Sequence, residues 1–136
     1  MDLENSTNNK ISKEQLANLH RLKTGELFMA SCEMGAVLGR AGINERKMLR
    51  YYAHDLGLAF QIRDDILDHS GINSGKVELD ESTHEKNTSI VDIIGLNNAN
   101  KQLVLLKEQA VSHLKNFGDK ARILQELAEF VVTRER

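Results

Sequence analysis

The chain is 136 residues long, 40% hydrophobic and 28% charged, with a net charge of −2 and no proline. That length holds one domain at most, and the charge gives neither a basic stripe nor an electrostatic case for nucleic acid. No run approaches the roughly 18 apolar residues of a membrane span, and the polar start lacks a signal-peptide core, so a cytoplasmic chain is expected.

With no proline to break long helices and few strand-favouring runs, the sequence predicts an all-α fold. Residues 1 to 11 are polar and Asn-rich, fitting a loop or frayed end. Ser12-Lys13-Glu14-Gln15 has the form of a capping box. The helix it opens carries Leu16, Leu19, Leu22, Leu27, Met34 and Leu38 at helical spacing and should run to about Arg40. Gly25 and Gly35 inside it suggest close helix packing or room for a ligand. Cys32 is the single cysteine, read as a small buried hydrophobe rather than a nucleophile. Gly42 is expected to end this helix and Asn44 to cap the next, which should reach His69. Ser70 to Glu85 is polar and without period, and is expected to be a loop that closes over a ligand. A short helix from Thr88 to Ile94 should follow, then two longer ones from Asn98 to Phe117 and from Asp119 to Thr133. Leu103, Leu106, Ala110 and Leu114 on the first, and Ile123, Leu127 and Val131 on the second, are the facing stripes of an antiparallel pair.

The end of the second long helix concentrates acid. Gln61, Asp64, Asp65 and Asp68 fall at helical spacing on one stripe, with neighbours roughly 5 to 6 Å apart, while Leu58, Ile62, Ile66 and Leu67 cover much of the rest. Carboxylates this close repel unless a cation lies between them. Hard oxygen ligands suit Mg²⁺, which is usually shared between one or two carboxylates and substrate phosphates, so a diphosphate is the natural substrate group. Taken alone, Asp-Asp-x-x-Asp fits an acidic helix end better than a metal site.

Three motifs in order shift that balance. Phe60-Gln61-Ile62-Arg63-Asp64-Asp65-Ile66-Leu67-Asp68, preceded by His20-Arg21-Leu22-Lys23-Thr24-Gly25 and followed by Lys86-Asn87-Thr88, resembles the trans-prenyltransferases, the polyprenyl diphosphate synthases. Within them it is most similar to the bacterial farnesyl diphosphate synthase branch. The resemblance runs from about Ser12 to Arg136 and includes the closing Phe130-Val131-Val132-x-Arg134.

That resemblance implies the C-terminal helices of the isoprenoid synthase bundle and Mg²⁺-dependent joining of isopentenyl diphosphate to an allylic diphosphate. It implies Asp64, Asp65 and Asp68 as metal-binding residues, and Lys23 and Lys86 as contacts to diphosphate. Thr24 would assist by hydrogen bonding. Phe60 and Gln61 would lie near the second substrate and the developing cation, where an aromatic face and an amide oxygen favour positive charge. For Arg63, an ion pair with the aspartates and a catalytic role stand open. Lys76 is a candidate substitute for a family loop lysine, because the family's Gly-Lys-Asp pattern is not matched at Val77-Glu78-Leu79-Asp80-Glu81.

The family carries two aspartate-rich motifs facing each other across a cavity, and this sequence holds the second, at 64–68. The expectation is therefore that residues 1–136 correspond to the C-terminal part of a polyprenyl synthase domain, with the N-terminal half absent. Helix faces meant for the missing helices should be exposed, favouring a homo-oligomer or association with the missing half. The alternative is a non-catalytic helical subunit that assembles with a chain supplying the first motif.

Overall fold

The computed structural model describes residues 12–73 and 89–136. Five α-helices make up these segments: α1 (Lys13–Leu38), α2 (Ile43–Asn73), α3 (Ile90–Ile94), α4 (Leu96–Ser112) and α5 (Arg122–Thr133). A 3-10 segment, Lys115–Ala121, leads into α5. The all-α expectation holds throughout the described residues.

Ser12 opens α1 as read from the sequence. Its hydroxyl accepts from the Gln15 backbone N–H at 3.1 Å, and the Gln15 side chain accepts from the Ser12 N–H at 3.0 Å. The end of α1 differs from expectation. Gly39, not Gly42, is the cap, and Arg40 takes the left-handed backbone with φ 54°. Ala41 N–H donates to the Ala36 carbonyl and Arg40 N–H to that of Val37, a Schellman closure with arginine where glycine is usual. Ile43 then starts α2, so Asn44 lies inside the helix and does not cap it.

With 31 residues, α2 spans about 46 Å at 1.5 Å per residue. It continues four residues past His69, through Ser70 and Gly71, because nothing there forbids helical backbone. The expected loop therefore begins no earlier than residue 74. Its remainder, with Lys76, Lys86 and Thr88, lies outside the described residues, as does the side chain of His20.

Ser89 caps α3 with a second capping box, closed by Asp92. Gly95, at φ 83°, is the hinge between α3 and α4, a conformation that costs a side-chain-bearing residue about 1 kcal/mol or more. The helix therefore begins at Leu96 rather than Asn98. It ends at Ser112 rather than at the expected Phe117, and the tighter 3-10 segment takes up the residues to Ala121, with Gly118 at φ 60° as a kink inside that segment.

The core forms around α2, which packs against α1 on one flank and against α4 and α5 on the other. Tyr52, Leu56, Ala59, Ile62 and Ile66 of α2 meet Val91, Ala99, Leu103, Ala110, Leu114, Ala128, Val131 and Val132. Alanines at four of these positions let helix axes approach closely. Glycine does the same between α1 and α2: a Cβ on Gly57 would stand 3.4 Å from Gly25 Cα.

The stripe expected on α5 is rotated. Leu124, Ala128, Val131 and Val132 turn toward the core, while Ile123 is 78% exposed. Helix α5 is apolar on two faces, and only one, carrying the small Ala128, fits against α2 and α4. Ile123 and Phe130 face outward, as do Leu27, Met34, Val37 and Leu38 of α1 and Ile43 of α2. The apolar exposure expected from the sequence is thus present.

Candidate active site

Burial of Ile62 and Ile66 fixes the rotation of α2 near its end and turns its three aspartates away from the core. They do not form one undivided stripe. Asp64 lies one turn beyond Phe60, and Asp65 one turn beyond Gln61, and each pair meets a different part of the chain.

On one side Arg21 of α1 reaches Asp65, with Nη2 at 3.2 Å from Oδ2 and 3.4 Å from Oδ1. The Ile90 N–H, at the start of α3, also points to Oδ2 at 3.5 Å. Gln61 and Asp65 line a groove of about 590 Å³ between α1, α2, α3 and α4, together with Gly25, Gly57 and Leu106.

On the other side Arg134, just beyond α5, donates to Asp64 Oδ1 and to the Phe60 carbonyl at 3.4 Å. Its guanidinium lies 4.2 Å from the Phe60 ring centroid, a cation–π contact, and that ring also meets Phe28 in a tilted arrangement with centroids 5.4 Å apart. The Arg134 side chain is only 10% exposed, and its Nε has no hydrogen-bond partner among the described residues. Arg63 does not pair with the aspartates. It donates from Nε to the Arg134 carbonyl at 2.8 Å, tethering the residues after α5 to α2.

Asp68 is exposed. Partial burial, then the charges of Asp64 and Asp65, push its carboxyl above the ordinary carboxylate range. Asp68 therefore feels both neighbouring carboxylates even with an arginine on each of them. Among the described residues, no three His, Cys, Asp or Glu side chains are grouped to enclose a metal ion by themselves. Mg²⁺ commonly takes one or two protein carboxylates and completes its octahedron with phosphate oxygens and water.

Lys23 is exposed, two residues past Arg21, and so lies on the far side of α1 from the Arg21–Asp65 pair. Thr24 is half-buried on α1, and Phe60 and Gln61 are half-buried on adjoining faces of α2. Cys32 is half-buried, with burial pushing its thiol upward, in keeping with an inert side chain. It borders a second, largely apolar cavity of about 640 Å³ lined by Phe28, Gly35, Tyr52, Leu56 and Leu124.

The family model for polyprenyl synthetase matches residues 1–127. The chain belongs to that family. It is similar to the farnesyl diphosphate synthase of Haemophilus influenzae, 34% identical over 139 residues that cover 96% of this chain and 45% of the relative. The farnesyl diphosphate synthase of Geobacillus stearothermophilus is also 34% identical, over 92% of this chain and 42% of its own length. Among solved structures, an FPP/GFPP synthase from Zymomonas mobilis superposes with a TM-score of 0.69 at 33% identity, covering 96% of this chain and 42% of that one. The chain thus spans less than half the length of the relatives it matches. No helix among the described residues is long and apolar enough to cross a membrane.

Two site residues were not assigned from the sequence. Arg21 lies within the His-Arg-Leu-Lys-Thr-Gly motif and Arg134 within the closing Phe-Val-Val-x-Arg segment. The signal for both was electrostatic: an acidic cluster needs cations, and these arginines belong to the motifs that travel with it. The buried contact between Asp55 and His113 had no signal, because 58 positions separate them.

Proposed function

We propose that this chain contributes the diphosphate-binding wall of a Mg²⁺-dependent prenyl transfer site that joins isopentenyl diphosphate to an allylic diphosphate, in the manner of a farnesyl diphosphate synthase. One observation carries the reading. Three separate segments, α1, the end of α2 and the residues after α5, converge on adjoining carboxylates with arginines already among them. A solvated acidic helix end would not draw two arginines from positions 44 and 70 residues away.

In such a reaction the allylic C–O bond breaks, a carbocation and inorganic diphosphate form, a new C–C bond joins the cation to the second substrate, and a proton is lost. The leaving group must be stabilised where water is excluded. Asp64 and Asp68 would hold Mg²⁺ with Asp65 assisting, and the bound metal would supply positive charge to the leaving diphosphate. Lys23 and Lys86 would add point charge, with Thr24 hydrogen-bonding the same group. Phe60 and Gln61 would flank the developing cation. A cytoplasmic location accords with these substrates.

The exposed apolar faces of α1 and α5 favour a companion reading, in which the chain acts as a helical subunit within a homo-oligomer or beside a chain bearing the first aspartate-rich motif. One experiment addresses both: transfer of labelled isopentenyl diphosphate onto geranyl diphosphate, with Mg²⁺ present and then chelated. Metal-dependent product that disappears in Asp64→Asn supports the first reading. Product only after adding a chain with the first motif supports the second, and none under either condition refutes both.

A further inference from the structure

The three acids at the end of α2 differ in how they are held. Asp64 meets Arg134 through one oxygen, and Asp68 is exposed. The Asp65 side chain is 16% exposed and has both oxygens engaged: Arg21 Nη2 stands 3.2 Å from Oδ2 and 3.4 Å from Oδ1, and the Ile90 N–H points to Oδ2 at 3.5 Å. Ile90 is the first residue of α3, where a backbone N–H has no partner inside the helix. The capping box satisfies the N–H groups of Ser89 and Asp92, and Asp65 accepts the one between them from Ile90. A helix of five residues does not persist on its own, so α3 depends on such tertiary contacts.

Arg21 brings α1 to the same carboxylate. Helices α1 and α2 approach closely at Gly25 and Gly57, where a Cβ on Gly57 would stand 3.4 Å from Gly25 Cα. Glycine against glycine sets the distance between the axes but restrains their crossing angle little. The Arg21–Asp65 pair lies about one turn from Gly25 along α1 and about two turns from Gly57 along α2, far enough out to hold that angle. Lys23 and Thr24 follow Arg21 directly, so the same angle decides where α1 carries them relative to the end of α2.

We propose that Asp65 and Arg21 are a positioning pair: Asp65 serves the site by holding α1 and the start of α3 against the end of α2, and not as a cation ligand. The inference rests on the reading of this region as a diphosphate-binding wall. It divides the Asp-Asp-x-x-Asp motif by role, with Asp65 given to architecture and only Asp64 and Asp68 available to a bound cation.

Two measurements on the full chain test it, for the wild type, Asp65→Ala, Arg21→Gln and Arg21→Lys. The first is amide hydrogen exchange at Ile90, by NMR, without metal or ligand. Exchange there should quicken about tenfold in Asp65→Ala, the low end for losing a hydrogen bond to a charged group, by a smaller factor in Arg21→Gln, and not in Arg21→Lys. Unchanged exchange in Asp65→Ala overturns the proposal. The second is affinity for Mn²⁺ with inorganic pyrophosphate, read by water-proton relaxation. A positioning pair predicts binding weakened about fivefold in both Asp65→Ala and Arg21→Gln, with Arg21→Lys close to wild type. The rival roles give the two substitutions opposite signs. A ligand restrained by arginine predicts weaker binding in Asp65→Ala and tighter binding in Arg21→Gln, and charge alone predicts the reverse; either pattern overturns the proposal. Tyr52→Phe, more than three turns from Asp64 along α2, should leave pyrophosphate binding unchanged, and an equal loss there reduces the pair to general stability and overturns its positioning role. Absence of binding in every form overturns the diphosphate reading and the positioning role with it, whereas quickened Ile90 exchange with oppositely signed binding overturns the positioning role alone. Should Asp65→Ala fail to fold, Ile90 exchange and binding that do not change in Arg21→Gln and recover in Arg21→Lys overturn the pair.

Discussion

Removing the His113 side chain should destabilise the chain by about 2 to 3 kcal/mol, the reduced cost of stranding a buried carboxylate. Asp55 on α2 is 6% exposed, and its Oδ2 lies 3.0 Å from His113 Nε2 at the end of α4. Losing one partner of a fully buried pair costs about 3 to 5 kcal/mol, since the remaining charge keeps its desolvation penalty. Two features lower the figure here. The His113 side chain is 21% exposed, so water can enter once it is gone, and His54 Nδ1 stands 3.6 Å from the other carboxylate oxygen. Urea unfolding of His113→Ala, followed by far-UV circular dichroism at low micromolar concentration, reads the loss directly. With a slope of about 1.5 kcal/mol per molar, the midpoint should fall by about 1.3 to 2 M. Asp55→Asn in the His113→Ala background should then cost little more, giving a coupling of about 1 to 2 kcal/mol between the two sites. A midpoint shift below about 0.3 M, or strictly additive losses, would mean that Asp55 is not a stranded charge and that α2 and α4 are held by apolar packing alone.

Tyr52→Phe should cost about 1 to 2 kcal/mol in the same assay, because its fully buried hydroxyl donates to the Leu124 carbonyl at 2.7 Å and phenylalanine leaves that carbonyl without its partner. The hydrogen bond from Arg46 holds Glu33 below its ordinary value near 4.5, so its contribution is present above that pH and is lost as pH falls through the lower folded value; a Glu33→Gln titration of stability should converge with wild type in acid. Asp68 has the opposite sign: its raised folded value gives a contribution that is full below about 3.8 and is lost as pH rises through the folded value. Asp68→Asn should accordingly be the more stable form at pH 7, by about 0.5 kcal/mol or less given solvent screening, with the advantage absent at pH 3, checked by melting curves at both values. Replacing Ile123 and Phe130 together by glutamine should shift the chain toward monomer in analytical ultracentrifugation, and an unchanged distribution would mean that the outward face of α5 does not mediate association.

How the sequence relates to these results is clearest at individual residues. Ser12 with Gln15, and Ser89 with Asp92, close within three positions, so local chemistry decides them, although the Ser89 box emerged only with the fold. At the end of α1, Gly42 is the obvious stop in the sequence, whereas a Schellman closure at Gly39 places Arg40 in the left-handed position. Helix α5 could not be phased from its pattern. Ile123, Leu127 and Val131 form as good a stripe as Leu124, Ala128 and Val131, and only contact with α2 and α4 separates them. Lys23 illustrates the converse at the site: resemblance names it, yet its place on α1 sets it apart from the Arg21–Asp65 pair.

The sequence by itself determined that the chain is helical and that its acids gather at the end of the second long helix, because periodicity, capping and spacing are local properties; its kinship to the polyprenyl synthetase family came from the likeness of its motifs to that family's. Only the tertiary structure decided which cations serve those acids. Arg21 comes from 44 residues before Asp65 and Arg134 from 70 residues after Asp64, and nothing short of the packing of α1 and α5 around α2 brings them to neighbouring carboxylates.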